Sequence, residues 1–184
     1  PVAHARIKGV DASEALAMKG VIAVHTGPEM KDDGIGDIIT GWAITSKDGA
    51  PMKVGAWSPL VTETGRYVGD AVAIVVAESQ ALARIAAETV VLDLEELPAV
   101  VHADKALAEG APQLHENVPG NHIYTWEIGD EARTEEAFKS AVHVTELDIV
   151  NNRLSPNAME PRSAVAVYDE AEDHYTLYTT SQNP

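Results

Sequence analysis

Residues 72–94 read VAIVVAESQALARIAAETVVLDL, and this stretch decides the fold class. It opens with an apolar run of strand length over residues 72–77, and Ser79 follows as a residue type suited to cap a helix. Apolar side chains then recur at the helical spacing of three and four up to Ala86, before residues 90–94 return to a strand pattern. A strand, a helix and a strand in so few residues predict a crossover that joins two strands of one sheet.

The first residues of the chain repeat this pattern. Residues 5–10 predict a strand, Asp11 and Glu14 have the spacing of a capping box at the start of a helix, and residues 21–24 predict the next strand. Together with the crossover unit, this pattern predicts an α/β domain over residues 1–104.

Between these two units, residues 27–59 are rich in Gly, Pro and Asp and predict a long irregular excursion with short strands. Within it, the glycine pair of Gly34-Ile35-Gly36-Asp37 suggests a phosphate-binding or calcium-binding loop. The glycine spacing does not continue to G-x-G-x-x-G, and the glutamate that closes an EF-hand loop is missing. A solvated turn is therefore the favoured interpretation.

The pattern changes after the α/β domain. Residues 105–123 contain two interruptions by Gly and Pro and show little periodicity, so they predict a linker. Residues 124–184 predict a strand-dominated region whose short helix starts at Thr134, with acidic residues in its first turn. Its three candidate strands cover residues 142–150, 163–168 and 175–180. The predicted class is α+β, with an incomplete β-rich region following the α/β domain.

The 184-residue chain has a formal net charge of -16, and this charge is unevenly distributed. Residues 1–60 hold 6 basic and 7 acidic side chains, a net of -1, whereas the other 124 residues hold 7 and 22, a net of -15. An acidic surface repels phosphate backbones and anionic lipids, which argues against nucleic acid and membranes as partners. No apolar run approaches the roughly 20 residues that are needed to span a bilayer, and no signal peptide is visible. A cytoplasmic location is therefore expected, with the periplasm as the alternative.

Cysteine is absent, which excludes disulfides, thiolate zinc sites and cysteine-ligated iron–sulfur clusters within this chain. Seven histidines are scattered, and no pair has the i, i+4 spacing of a zinc-protease helix. His115 and His122 lie near Glu116 in the predicted linker, but histidines in loops are usually solvated or structural. No metal site made by this chain alone is predicted.

Glu160 is the carboxylate of most interest, because it lies between Asn157 and an apolar strand and is followed by Pro161-Arg162. One interpretation is an ion-paired or hydrogen-bonded carboxylate that fixes the start of the strand. The other is a contact to a substrate. By themselves, the residues support an acidic, cysteine-free α+β fragment and name no reaction.

Six short motifs nevertheless occur in a specific order. They are PVAHARI (residues 1–7), VIAVHTG (21–27), GRYVGDAVA (65–73), LDLEELPAV (92–100), NAMEPR (157–162) and TTSQNP (179–184). Each motif is weak alone, but their order resembles that of molybdenum hydroxylase large subunits. This class contains xanthine dehydrogenase, aldehyde oxidase and aerobic carbon monoxide dehydrogenase.

The resemblance implies that residues 1–104 form a hammerhead-like α/β domain and that residues 124–184 begin a molybdopterin-binding domain. It implies a molybdopterin-type molybdenum cofactor in the complete protein and none in this chain alone, because the family's cofactor-gripping loops and catalytic glutamate lie beyond Pro184. Iron–sulfur clusters and FAD are expected on partner domains or subunits. The implied reaction is oxidative hydroxylation of an aldehyde or N-heteroaromatic compound, or oxidation of carbon monoxide.

One functional residue follows from the resemblance. The glutamine of the family's S-T-Q-N-P motif lies beside the metal, with its amide directed at an oxygen ligand, and that position is Gln182 here. A glutamine amide is a neutral donor, so it can stabilise negative charge without competing as an anionic ligand. The alternative is a strand-end glutamine that satisfies backbone groups. Glu160 is then a candidate for a residue that supports this contact without touching the cofactor itself.

Two other kinds of function stay open. The chain could be a non-catalytic scaffold or assembly module, or an unrelated α+β binding domain that shares only a strand–helix–strand arrangement. Metal analysis and the sequence that follows Pro184 in the complete protein discriminate between these functions and the enzyme. The sequence does not specify which small molecule is the substrate.

Overall fold

The computed structural model describes residues 1–152, 154 and 157–181. It is a mixed structure of short helices and small antiparallel sheets, which confirms the predicted α+β class. The chain divides into two compact units, Pro1–Gly129 and Asp130–Pro184. No helix within the described ranges is long and apolar enough to cross a membrane.

In chain order, the elements of the first unit are β1 (Ala5–Asp11), α1 (Ser13–Ala17), β2 (Val21–Thr26), α2 (Gly27–Asp32), β3 (Thr64–Gly65), β4 (Ala73–Ala77), α3 (Gln80–Glu88) and β5 (Val91–Glu96), followed by 3-10 turns at Ala103–Lys105 and Pro119–Asn121. The second unit contains α4 (Glu131–Ser140), β6 (Ala164–Asp169) and β7 (His174–Thr179).

The first unit contains two small antiparallel sheets. In one sheet β1 is the central strand between β3 and β5, and in the other β2 pairs with β4. The helix α3 therefore leads from a strand of one sheet to a strand of the other. The predicted crossover within a single sheet is wrong, because β4 pairs with β2 in one sheet and β5 pairs with β1 in the other.

The helix α3 packs on β4 and against α1. It is capped as predicted, since the Ser79 hydroxyl accepts a hydrogen bond from the backbone N–H of Leu82 at 3.2 Å. Ala86 of α3 and Ala15 of α1 are completely buried. Small side chains at these positions let the helices lie close to their neighbours, and they place part of the core of the first unit at this contact.

The predicted capping box at Asp11 is wrong. The Asp11 carboxylate accepts a hydrogen bond from Ser13 N at 2.9 Å, and α1 starts without a side-chain cap. A capping box is found instead at the start of α2, where the Glu29 carboxylate accepts from the backbone N–H of Thr26 at 2.8 Å. The irregular excursion therefore begins with a helix that was not predicted.

Residues 105–129 are fastened to the rest of the first unit by hydrogen bonds. Arg66 Nε donates to the Leu114 carbonyl at 2.7 Å, and the Asn117 amide donates to the Val54 carbonyl at 2.7 Å. Val118 is buried. The assignment of residues 105–123 as a linker between domains stays a prediction.

The second unit consists of α4 and an antiparallel hairpin of β6 and β7. Asp130 caps α4 by accepting a hydrogen bond from Arg133 N at 2.9 Å. Both predicted hairpin strands are confirmed to within one residue. The predicted strand over residues 142–150 is wrong, since these residues form no strand and are exposed.

Candidate functional site

The open end of the β6–β7 hairpin lies close in sequence to both predicted site residues. Ser163 and Thr180 face each other there, with Thr180 N donating to the Ser163 carbonyl at 3.3 Å and Ser163 N donating to the Thr180 hydroxyl at 3.2 Å. Glu160 precedes Ser163 by three residues, and Gln182 follows Thr180 by two. The hairpin register therefore brings Ser163, which follows NAMEPR, and Thr180, the second residue of TTSQNP, together at one end of the hairpin.

Glu160 lies at a bend before β6, and its side chain is exposed to solvent. Within the described part of the chain it forms no ion pair with Arg162 or with any other basic residue. The role of Glu160, whether as an anchor of the strand, as a contact to a substrate or as support for the Gln182 contact, stays a prediction. Gln182, the other predicted site residue, lies outside the described residues.

The second unit does not by itself enclose a cofactor. Its described side chains are exposed, apart from the half-buried Thr176. The described residues of the whole chain contain no group of three or more His, Asp or Glu side chains that could hold a metal ion. The described residues of the second unit alone therefore do not form an enclosed cradle for a molybdopterin cofactor.

The first unit contains a polar cleft that was not predicted. Arg66, Tyr67, Asp70 and His115 line it, together with the backbone of residues 53–58. Arg66 is held in place by donating to the carbonyls of Leu114 at 2.7 Å and Thr64 at 3.1 Å. The Asp70 carboxylate accepts from Arg66 N at 3.0 Å.

Two groups in this cleft have shifted pKa values. Partial burial, followed by the nearby charges of Arg66 and His4, lowers the pKa of His115 below its ordinary 6.5. Burial, followed by the Asp70 carboxylate, raises the pKa of Tyr67. His115 Nδ1 is buried and has no hydrogen-bond partner. The lowered pKa favours the neutral form of His115, and its ring packs against Gly55 in this cleft.

The histidines of the predicted linker are separated by the fold. His115 packs into the cleft, whereas His122 is exposed and forms a hydrogen bond between its Nε2 and the Thr125 hydroxyl at 2.9 Å. The cleft was not predicted from the sequence, because its residues come from distant stretches of the chain. The available signal was the Arg66-Tyr67 pair at the start of the GRYVGDAVA motif.

Family comparisons assign both parts of the chain. A model of the aldehyde oxidase and xanthine dehydrogenase a/b hammerhead domain matches residues 1–98, and a model of the molybdopterin cofactor-binding domain matches residues 114–184. The chain therefore belongs to the aldehyde oxidase and xanthine dehydrogenase family. The predicted resemblance to molybdenum hydroxylase large subunits is confirmed.

Individual relatives agree with this assignment. The chain is 32% identical to the carbon monoxide dehydrogenase large chain of Hydrogenophaga pseudoflava, over 100% of this chain and 23% of the relative. It is 38% identical to the aldehyde oxidoreductase of Megalodesulfovibrio gigas, over 90% of this chain and 18% of the relative. The fold matches quinoline 2-oxidoreductase from Pseudomonas putida 86 with a TM-score of 0.81 and 33% identity, over 99% of this chain and 22% of that structure. The chain thus spans about a quarter of the length of these relatives or less.

Proposed function

We propose that this chain is the N-terminal part of the molybdopterin-binding large subunit of a molybdenum hydroxylase. The observation that carries the proposal is the order of two family matches, a hammerhead domain over residues 1–98 and a molybdopterin-binding domain over residues 114–184. Relatives named as large chains or large subunits match along the whole chain, which supports the same arrangement. The domain limits that we propose are residues 1–104, 105–123 and 124–184.

The proposed reaction is oxidative hydroxylation of an aldehyde or an N-heteroaromatic compound, or oxidation of carbon monoxide. Relatives named for carbon monoxide, nicotine, nicotinate and aldehyde chemistry lie within a narrow range of identity to this chain, from 30% to 38%. This even similarity supports the reaction class and favours no substrate within it. Electrons would leave through iron–sulfur and flavin groups on partner domains or subunits in the cytoplasm.

Within this assignment, Gln182 is the proposed contact to the cofactor and Glu160 its proposed support. The cofactor, when bound, would supply the redox chemistry, and the protein would contribute positioning and electrostatics. The hydrogen bonds between Ser163 and Thr180 fix the register at the open end of the hairpin. That register constrains where the chain leaves β7, three residues before Gln182.

The complete protein that contains this chain, purified together with its partner subunits, tests the proposal. We expect stoichiometric molybdenum, molybdopterin in the extracted cofactor, and dye reduction with at least one aldehyde, N-heteroaromatic compound or carbon monoxide. A well-folded assembly without molybdenum and without activity on any of the three classes would contradict the proposal. That result would favour the scaffold or assembly function instead.

A further inference from the structure

The polar cleft of the first unit contains a half-buried guanidinium that has no acidic partner. Arg66 Nε donates a hydrogen bond to the Leu114 carbonyl at 2.7 Å, and a terminal nitrogen donates to the Thr64 carbonyl at 3.1 Å. Both acceptors are uncharged. Among the residues that the structure describes, no carboxylate forms an ion pair with Arg66. The chain holds 29 acidic and only 13 basic side chains, so a charge left uncompensated here requires an explanation.

The acidic residue nearest to Arg66 in the cleft, Asp70, has other partners. Its carboxylate accepts hydrogen bonds from the backbone N–H of Arg66 at 3.0 Å and from the Tyr67 hydroxyl. The guanidinium group of an arginine has five N–H donors, and the two carbonyl contacts of Arg66 use two of them. The other three have no acceptor within the described part of the chain, so they are available to a ligand.

Two aromatic side chains line the same cleft as Arg66. They are Trp57 and Tyr67, which are 55% and 49% exposed, so part of each ring is open to a ligand. The Tyr67 hydroxyl is hydrogen-bonded to the Trp57 side chain and to the Asp70 carboxylate, which fixes its position. The cleft has a volume of about 650 Å³, and small-molecule sites commonly have volumes of about 300–1,000 Å³.

The charges that line the cleft indicate which ligands it accepts. Three cationic side chains and three carboxylates line it: Lys31, Lys53, Arg66, Glu63, Asp70 and Glu116. Their formal charges cancel, whereas the whole chain has a net charge of -16. A ligand with one negative charge can therefore enter, but a dianion such as phosphate would meet stronger repulsion from the three carboxylates. The cleft thus favours a monoanion.

We propose that this cleft binds a small aromatic carboxylate, with the carboxylate group on Arg66 and the ring against Trp57 and Tyr67. The planar fork of a guanidinium matches the two oxygens of a carboxylate. Aromatic rings favour stacked or edge-to-face contacts with one another, so the two side chains select a planar ligand. Every residue of the proposed site belongs to the first unit, and the inference does not depend on the proposed molybdenum chemistry.

Titrations followed by ¹⁹F NMR, on the complete protein that contains this chain together with its partner subunits, test the chemistry of the ligand. The charged probe is 4-fluorobenzoate, and 4-fluorobenzamide is its uncharged analogue of the same shape. We expect 4-fluorobenzoate to bind at least about tenfold more tightly, the scale of one charge-assisted hydrogen bond. Inorganic phosphate at equal ionic strength should not displace it. Equal affinity for both probes, or displacement by phosphate at the concentration of the probe, would overturn the proposal.

Substitutions at Arg66 test its role in the same titration. Arg66→Gln removes the charge and should weaken 4-fluorobenzoate binding at least about tenfold, while 4-fluorobenzamide binding changes little. Arg66→Lys keeps the charge without the planar fork, so it should recover only part of the affinity. Arg84→Gln removes an exposed arginine of α3 in the same unit and is the matched control. Unchanged affinity in Arg66→Gln, or an equal loss in Arg84→Gln, would contradict a carboxylate contact at Arg66.

A crystal structure of the complete wild-type protein with 4-bromobenzoate locates the ligand even if the Arg66 variants do not fold. We expect an anomalous bromine signal in the cleft beside Trp57 and Tyr67, with the carboxylate on Arg66. Bromine found only elsewhere, including at a cofactor or substrate site, or no bound bromine at all, would overturn the proposal. Molybdenum content and dye reduction are measured separately, so a failure of this site is distinguishable from a failure of the proposed function.

Discussion

Gly55 lies directly against the imidazole ring of His115. A Cβ atom added at Gly55 would stand 2.5 Å from His115 Nδ1 and 2.6 Å from Cε1, closer than non-bonded atoms approach. The missing side chain at Gly55 therefore makes the space in which the His115 ring packs. This contact joins the irregular excursion to the stretch after β5, two parts of the chain that are 60 residues apart.

Gly55→Ala should destabilise the first unit. The added methyl group overpacks the contact with His115, which typically costs about 1–3 kcal/mol. Urea unfolding followed by tryptophan fluorescence measures the change, because all three tryptophans, at positions 42, 57 and 126, lie in the first unit. Gly36→Ala is the matched control, since a Cβ there meets nothing within 4 Å.

Removing the His115 ring as well should relieve the Gly55→Ala penalty. In a double-mutant cycle, the combined Gly55→Ala and His115→Ala protein should lose less stability than the sum of the single changes. Additive effects, or a Gly55→Ala protein as stable as the Gly36→Ala control, would show that the contact does not constrain the fold.

The stability of the first unit should decrease as the pH falls below about 6.5. The folded-state pKa of His115 is lowered, so in that window the unfolded chain binds a proton more readily than the folded chain. The loss continues until the pH is below the folded-state pKa and then stops growing. Urea unfolding of wild type and His115→Gln between pH 7.5 and 5, about the range in which histidine titrates, should give a shallower slope for the variant. Equal slopes for His115→Gln, wild type and the exposed control His122→Gln would contradict this explanation.

Gly27→Ala should be destabilising even though Gly27 is the first residue of a helix. Alanine is the better helix former by roughly 1 kcal/mol, so propensity alone predicts a gain. A Cβ at Gly27 would, however, clash with the Val61 carbonyl oxygen, a backbone atom that cannot move independently. We expect a net loss of about 3 kcal/mol, near the upper end for overpacking. Gly41→Ala, which meets nothing within 4 Å, is the control, and a stabilised Gly27→Ala protein would refute this close approach.

Gln182→Ala should lower kcat in the complete enzyme, on the order of 10²-fold, if the amide acts as a donor toward developing negative charge. KM should change less, because the proposed contact is to the cofactor and not to the substrate. Steady-state kinetics at equal molybdenum content measure both quantities, with the exposed Gln80→Ala in α3 as the control. A wild-type kcat at full metal occupancy would leave Gln182 as a strand-end residue.

Local sequence patterns predicted the positions of the helices and strands better than they predicted which strands pair with each other. Ser79 and the apolar spacing after it specify α3 because capping and amphipathicity act within a few residues. The partner of β5 is β1, some eighty residues away, and no local pattern identifies such a pairing. The alternating apolar and polar residues 142–150 are a local pattern that predicts a strand. No strand forms there, because a strand also needs a second strand to pair with.

The helix α2 was missed although its signal was present. Thr26 and Glu29 have capping-box spacing, but Gly27-Pro28 between them is typical of a turn. Proline is compatible with the first turn of a helix, where its missing N–H has no acceptor to lose. For the candidate site, the NAMEPR and TTSQNP motifs identified the segments, and only the hairpin register shows that Ser163 and Thr180 meet at one end of the hairpin. The cleft at His115 depends on long-range packing, and the GRYVGDAVA motif marks only its Arg66 side.

The β6–β7 hairpin has consequences for how the protein is made. Val165 and Tyr178 on one face and Leu177 and Tyr175 on the other are all at least 60% exposed, and neither strand has a second neighbour among the described residues. An isolated two-stranded hairpin is marginally stable in water, and free strand edges with apolar faces can pair with other chains. For as long as its edges and apolar faces are open during synthesis, a holding chaperone that binds this hairpin would improve the yield of folded protein.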